Sequence, residues 1–208
     1  GETHQGTLDM AFFRLVPNLT IMAPKDFKEL EDMMEFAVKL NKPVVIRYPR
    51  GGEANEKFIT HSMILYKKCD ILTQGKDVTI VAIGNQVSKA MNIQRKLKEV
   101  NIYAEVINAR FLKPFDKYAV LKSIAKTRFV ITLEDNTLVG GLATEVKELI
   151  AEKHLNNIRM RNFGYPDVFV EHGTPKELEE IYKLDEKSVF EYVRNSVKYK
   201  RKRYANVK

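Results

Sequence analysis

One cysteine in 208 residues, Cys69, leaves no partner for an internal disulfide. With no second thiol or histidine nearby it is also a poor metal ligand, and it reads as a small buried hydrophobe. His61, His154 and His172 have no His or Cys neighbours at metal-ligand spacing, so no metal site is expected. No run approaches the ~18 apolar residues needed to cross a bilayer. The first residues carry neither a basic start nor an apolar signal core, so the cytoplasm is the expected location. A P-loop is missing as well, since no Lys-Ser or Lys-Thr follows the diglycine Gly140-Gly141. The remaining composition is that of a globular protein, with 44% hydrophobic and 10% aromatic residues, enough for one or two ordinary cores.

The charge is unbalanced, with a net +8 and a pI near 9.4. That attracts anions without choosing among nucleic acid, a membrane surface and a phosphorylated metabolite. Lys198, Lys200, Arg201, Lys202, Arg203 and Lys208 concentrate the excess at one end. The run reads as a solvated basic tail from about 198, with an RNA-contacting or partner-contacting tail as the alternative. No recognition-helix or RNA-binding motif supports nucleic acid.

The early chain predicts a short helix over Leu8 to Leu15, a strand over Leu19 to Met22 and a longer helix after Asp26. Asp26 stands at the N-cap with Glu29 three residues later, as in a capping box. Phe27, Leu30, Met33, Met34, Ala37 and Val38 recur at helical spacing and predict one core-facing stripe. Val44-Val45-Ile46 reads as a strand buried on both faces. Residues 1–52 therefore read as the end of one α/β domain, 53–60 as a polar linker and 61–208 as a second domain. That domain alternates strands (78–83, 102–107, 128–133, 158–163) with helices (87–100, 118–126, 142–154). Helices at 175–182 and 186–199 follow. Such alternation predicts parallel strands, right-handed crossovers and a doubly wound three-layer fold.

Candidate site residues lie at the loops. His4 sits between Thr3 and Gln5, whose polar groups suit the fixing of an imidazole tautomer, and Gly1 and Gly6 let the backbone approach a ligand. A structural histidine is the competing reading. Arg47 and Arg50 follow a strand, at the edge where open α/β sheets bind ligands, and a guanidinium suits phosphate. An ordinary ion pair with a nearby acid is the alternative for either. Glu134-Asp135 is expected just after a strand, and Gly140-Gly141 leads into a helix whose N-terminus could take an anion. Packing or subunit contact is the preferred reading there, and Leu112-Lys113-Pro114-Phe115-Asp116 reads as a helix entrance.

Taken together, Thr3-His4-Gln5-Gly6 with Asp9, Arg14-Leu15-Val16-Pro17-Asn18, Met22-Ala23-Pro24-Lys25-Asp26 and Ile46-Arg47-Tyr48-Pro49-Arg50-Gly51 resemble the transketolase family. Arg110-Phe111-Leu112-Lys113-Pro114, Glu134-Asp135-Asn136 before Gly140-Gly141, and Gly164-Tyr165-Pro166-Asp167 before Gly173-Thr174 extend the resemblance over nearly the whole chain. It implies the end of a pyrimidine-binding α/β domain followed by a transketolase C-terminal domain, as an incomplete chain of a transferase. Within the family the resemblance is greatest to enzymes that condense pyruvate with glyceraldehyde 3-phosphate, a step toward isoprenoid, thiamin and pyridoxal precursors. The implied cofactors are thiamin diphosphate and magnesium, held by a missing N-terminal cofactor domain, with no cofactor-binding or metal-binding residue in this chain. The implied site has His4 as catalytic residue and Arg50, Arg47 and Thr3 as substrate-binding residues, Arg47 being more structural than Arg50. An inactive fragment alone, a homodimer when intact and no membrane partner complete the expectation. The alternative is a C-terminal assembly subunit of a split transketolase or keto acid dehydrogenase.

Overall fold

Val78–Ala82 forms β4, the middle strand of a five-stranded sheet in the computed structural model, which describes residues 4–49 and 62–205 and side chains as far as Tyr199. Every residue of β4 is buried, because both faces of the sheet are covered. Alternate side chains enter two different cores. Val78, Ile80 and Ala82 pack with α3 (Gln86–Glu99) and α7 (Glu186–Ala205). Val81 packs with α4 (Lys117–Thr127) and α5 (Leu142–Glu152) on the opposite face. The sheet runs β3-β5-β4-β7-β8, from β3 (Asp70–Thr73) and β5 (Ala104–Asn108) to β7 (Phe129–Thr137) and β8 (Arg159–Tyr165). The strands from β5 to β8 are parallel, so the doubly wound three-layer expectation holds.

Two strands escape the sequence pattern. β3 pairs antiparallel with β5 at the sheet edge; Asp70-Ile71-Leu72-Thr73 is too short and mixed to display a period. β6 (Phe111–Lys113) lies where a helix entrance is expected. Asp116 does cap α4, accepting from the Ala119 N–H at 3.2 Å, but the residues before it pair first with another sheet. In that three-stranded sheet β1 (Thr20–Met22) lies parallel to β2 (Val44–Ile46) and antiparallel to β6. The early and late parts of the chain are thus joined by main-chain hydrogen bonds.

α2 (Phe27–Leu40) covers this small sheet only in part. Met33 is fully buried beside Met22, Ile64 and Phe111, and Phe36 and Ala37 pack there. Phe27, Met34 and Val38 are exposed, so the single core-facing stripe is corrected. The reason is geometric: the sheet under α2 has three short strands and reaches only one side of the helix. β2 is likewise half-buried, being an edge strand, and not buried on both faces. Asp26 caps α2 by accepting from the Glu29 N–H at 2.7 Å. Glu29 accepts instead from the Lys25 N–H at 2.8 Å and turns toward Arg110, so the box closes one residue early.

α1 (Asp9–Arg14) is held by the later part of the chain. Arg14 pairs with Glu145 and Glu148 of α5, and the Lys113 ammonium donates to the Arg14 and Val16 carbonyls at 2.9 and 2.6 Å. A cation at a helix C-terminus satisfies carbonyls that lack intrahelical partners. Cys69 is half-buried against the α4 side of the core. Burial, then the nearby Asp116 carboxylate, push its thiol up to about 12, which keeps it protonated and inert. α7 extends past the expected end near 199 and into the basic run as far as Ala205. The 53–60 linker and His61 lie outside the described residues.

Candidate active-site edge

The carboxyl ends of β2, β7 and β8 converge, and two early segments meet the later domain there. The His4 loop comes first. His4 is exposed. Gly6 has φ +70°, and a Cβ there would lie 2.7 Å from Asp9 Oδ2, so the turn into α1 needs glycine. The Gln5 side-chain amide donates to the Glu171 carbonyl at 2.9 Å. The Thr137 N–H, at the end of β7, donates to the Thr7 carbonyl at 2.7 Å. The residues that follow His4 are therefore tied to the later domain at two points.

The strand β2 supplies the second segment. The Arg47 N–H donates to the Met22 carbonyl at 2.8 Å, extending the β1–β2 ladder one residue past the strand. Its guanidinium Nη2 donates to Asp135 Oδ2 at 2.9 Å and to the Asp135 carbonyl at 3.0 Å. The Asn85 amide adds a bond of 3.3 Å to the same Asp135 oxygen. Asn85 stands after Gly84, in the turn between β4 and α3, which is where the strand order reverses. Tyr165, at the end of β8, is buried beside this group. Burial, then the Asp135 carboxylate, hold its hydroxyl protonated well above the usual tyrosine range.

Glu134 is the third feature, and it corrects an expectation. β7 does not end at Leu133 but runs to Thr137, so Glu134 and Asp135 are strand residues facing opposite ways. The Glu134 carboxylate accepts from the Leu142 N–H at 2.7 Å and the Ala143 N–H at 2.8 Å. It therefore fills the α5 N-terminus that the sequence offered to an external anion. Desolvation dominates over those helix donors and raises its carboxyl to about 7. Gly141 makes the fit possible, since a Cβ there would lie 2.1 Å from Glu134 Oε2. Gly140 presses on Ala11 of α1, so the diglycine serves packing.

Of the sequence-derived candidates, Thr3 and Arg50 lie outside the described residues, while His4 and Arg47 are brought to the same edge. Asp135, Asn85, Tyr165 and Glu171 carried no individual role in the sequence. The Glu134-Asp135-Asn136 and Gly164-Tyr165 motifs were the available signal, but their partners lie 88 positions away in the case of Arg47 and Asp135. Among the described residues no group of three or more His, Cys, Asp or Glu side chains could hold a metal ion. No described helix is long and apolar enough to cross a membrane.

Residues 1–52 match the family described as "Transketolase, pyrimidine binding domain" and residues 67–189 match "Transketolase, C-terminal domain". The 1-deoxy-D-xylulose-5-phosphate synthase of Halothermothrix orenii is 43% identical over 92% of this chain and 30% of its own length. That of Desulforudis audaxviator is 41% identical over 98% of this chain and 32% of its own length. The chain thus spans about a third of these curated relatives. A solved structure titled "Split gene transketolase, inactive beta4 tetramer" has a TM-score of 0.87 and 32% identity, covering 95% of this chain and 64% of that one. A transketolase from Pichia stipitis shares the fold, with a TM-score of 0.70 at 21% identity over 96% of this chain and 28% of that one.

Proposed function

Since the chain belongs to the transketolase family, we propose that it is the C-terminal part of a synthase that condenses pyruvate with glyceraldehyde 3-phosphate. The products are 1-deoxy-D-xylulose 5-phosphate and carbon dioxide, and the reaction is placed in the cytoplasm. Support comes from the synthases that are 43% and 41% identical to it, which favour this reading over a split assembly subunit. The observation that carries it is the convergence of the His4 loop and the Arg47 turn on one sheet edge through Thr137 and Asp135.

The chemistry asks for two things that this edge can supply. Joining the two-carbon unit left after loss of carbon dioxide to an aldehyde creates an alkoxide, and the balanced reaction takes up one proton. His4, exposed and followed by residues tied to the later domain through Gln5 and Thr7, is the group assigned to deliver that proton or hold the oxygen by a hydrogen bond. Arg50 is assigned to the aldehyde's phosphate, whose oxygens match a guanidinium fork. Arg47 is engaged by Asp135 and is assigned to support. Thiamin diphosphate with magnesium supplies carbanion stabilisation to this chemistry. The described residues do not fit that group: they offer no metal cluster, and Glu134 already occupies the α5 N-terminus. We assign its binding to a further domain of the intact enzyme, and the chain alone to inactivity.

Calorimetric titration of this chain with thiamin diphosphate and magnesium, alone and with a separately expressed cofactor domain, tests the reading. Binding and pyruvate decarboxylation only in the mixture support it. Saturable cofactor binding to the chain alone would sink it.

A further inference from the structure

We propose that the outer edge of β8 takes an extended peptide of alternating acidic and apolar residues, which adds to the larger sheet as a sixth strand. The proposal is independent of the reaction assigned above. β8 is the last strand in the order β3-β5-β4-β7-β8 and pairs on one side only, with β7. The Arg159 N–H donates toward β7, to the Arg128 carbonyl at 3.1 Å. In a parallel pair alternate residues turn their backbone groups to the same neighbour, so those of Met160 and Asn162 point away from β7. Among the described residues nothing bonds to them. A row of unpaired N–H and C=O groups is a template for another strand.

The two faces of β8 specify what that strand should carry. Residues two apart on a strand share a face, with their Cα atoms about 7 Å apart. Arg159 and Arg161 are exposed and share the face that α7 covers further along, at Phe163. Both guanidinium groups lie over one ring, that of Tyr192 on α7, at 5.8 and 5.6 Å from its centroid. Phe129 and Phe163 supply each with a second ring, at 5.4 and 5.7 Å. Ring stacking holds the two cations side by side, where they repel each other. No described carboxylate relieves them. Arg159 donates to the Ser196 carbonyl at 3.3 Å, and Glu191, next to Tyr192 in sequence, is paired with Arg194. On the opposite face Ile158 and Met160 join Ile150 and Leu155 in lining a cleft of about 370 Å³. The side chains of an added strand alternate with the same period, so carboxylates would meet the arginines and apolar groups would meet the cleft. A second copy of β8 is a worse occupant, since it would set these arginines against their own kind.

Charged side chains on an edge strand also discourage aggregation without any partner, so the test asks for selective binding and for its reversal. Fluorescein-labelled Glu-Val-Glu-Val-Glu-Val is titrated with the full chain and followed by anisotropy. The controls are a block peptide of the same composition, Glu-Glu-Glu-Val-Val-Val, and Lys-Val-Lys-Val-Lys-Val. The alternating acidic peptide is expected to bind about tenfold tighter than either. Arg159→Glu combined with Arg161→Glu, with circular dichroism as the control for folding, should weaken it about tenfold and make the lysine peptide the preferred ligand. That variant keeps the basic run after 198, so the loss separates this edge from the C-terminal cations. Should the double variant fail to fold, Arg161→Ser alone leaves the Arg159 stack in place and should weaken binding about threefold. Absence of saturable binding, equal binding of the alternating and block peptides, or affinity indifferent to these substitutions would overturn the proposal. So would tighter binding of a labelled oligouridylate that the same substitutions abolish, which would make the arginines a nucleic-acid contact.

Discussion

Glu29 of α2 and Arg110, which follows β5, form an ion pair of 2.7 Å with side chains only 1% and 2% exposed, across 81 positions of sequence. Asn108 donates to both Glu29 oxygens at 3.0 Å. Lys25 lies 3.4 Å from Glu29 Oε1. Arg110 also reaches the Met63 and Ser62 carbonyls and Asp70, and its own carbonyl accepts from the Ala23 N–H at 2.9 Å. Two motifs of the family, Met22-Ala23-Pro24-Lys25-Asp26 and Arg110-Phe111-Leu112-Lys113-Pro114, are thereby explained as the two halves of one buried junction.

Breaking this junction from one side should be costly. Arg110→Met leaves Glu29 buried without its main counter-charge, and a loss of about 3 to 5 kcal/mol is expected from urea unfolding of the chain. Arg110→Met combined with Glu29→Met should lose less than Arg110→Met alone, because the buried Glu29 charge is then removed along with its counter-charge. A double variant as unstable as the sum of the singles would mean that the pair is not coupled.

Glu134 predicts a pH dependence with a definite sign. Its carboxyl is raised from 4.5 to about 7 in the folded chain. Between those values the folded state holds more proton than the unfolded state, so this group's contribution to stability is complete below about pH 4.5 and is lost as pH rises through about 7. The full shift corresponds to about 3 kcal/mol. Denaturant unfolding from pH 5 to pH 8 should show wild type losing stability across this window relative to Glu134→Gln. Parallel curves for the two proteins would remove Glu134 as the cause.

Gly141 tests the same cap sterically. Its backbone needs no special conformation, but a Cβ would lie 2.1 Å from Glu134 Oε2 and 2.7 Å from the Thr137 carbonyl. Gly141→Ala is expected to destabilise by about 1 to 3 kcal/mol through overpacking. In the background of Glu134→Ala, which opens the space, most of that loss should vanish; a loss that persists would assign it to the Thr137 contact.

The split stripe of α2 yields a contrast between neighbouring turns. Met33 is fully buried and Val38 is 82% exposed. Met33→Ala should cost about 2 to 5 kcal/mol in thermal or urea unfolding, whereas Val38→Ser should stay within about 0.5 kcal/mol. A large loss for Val38→Ser would show that its face is covered in solution.

The larger fold was legible because its signals are local. The alternation of apolar strands with helices from Val78 to Phe163 predicts the parallel sheet, and Asp26 and the entrance ending at Asp116 mark helix starts by the side chains that cap them. β3 and β6 were not legible, since each is short and acquires its strand geometry from a neighbour: β5 for one, β1 for the other. α2's periodicity likewise showed that it has an apolar side, but not that the small sheet would leave Phe27, Met34 and Val38 uncovered.

By itself the sequence determined the order of elements, the family and the residue types at the loops, because periodicity, caps and motifs are properties of neighbouring residues. Tertiary structure decided which of those residues meet. It placed Arg47 on Asp135, turned Glu29 away from its own helix toward Arg110, and put Glu134 into the α5 N-terminus. Ion pairs and buried carboxylates depend on distance and dielectric, and both are set only when segments far apart in sequence pack against each other.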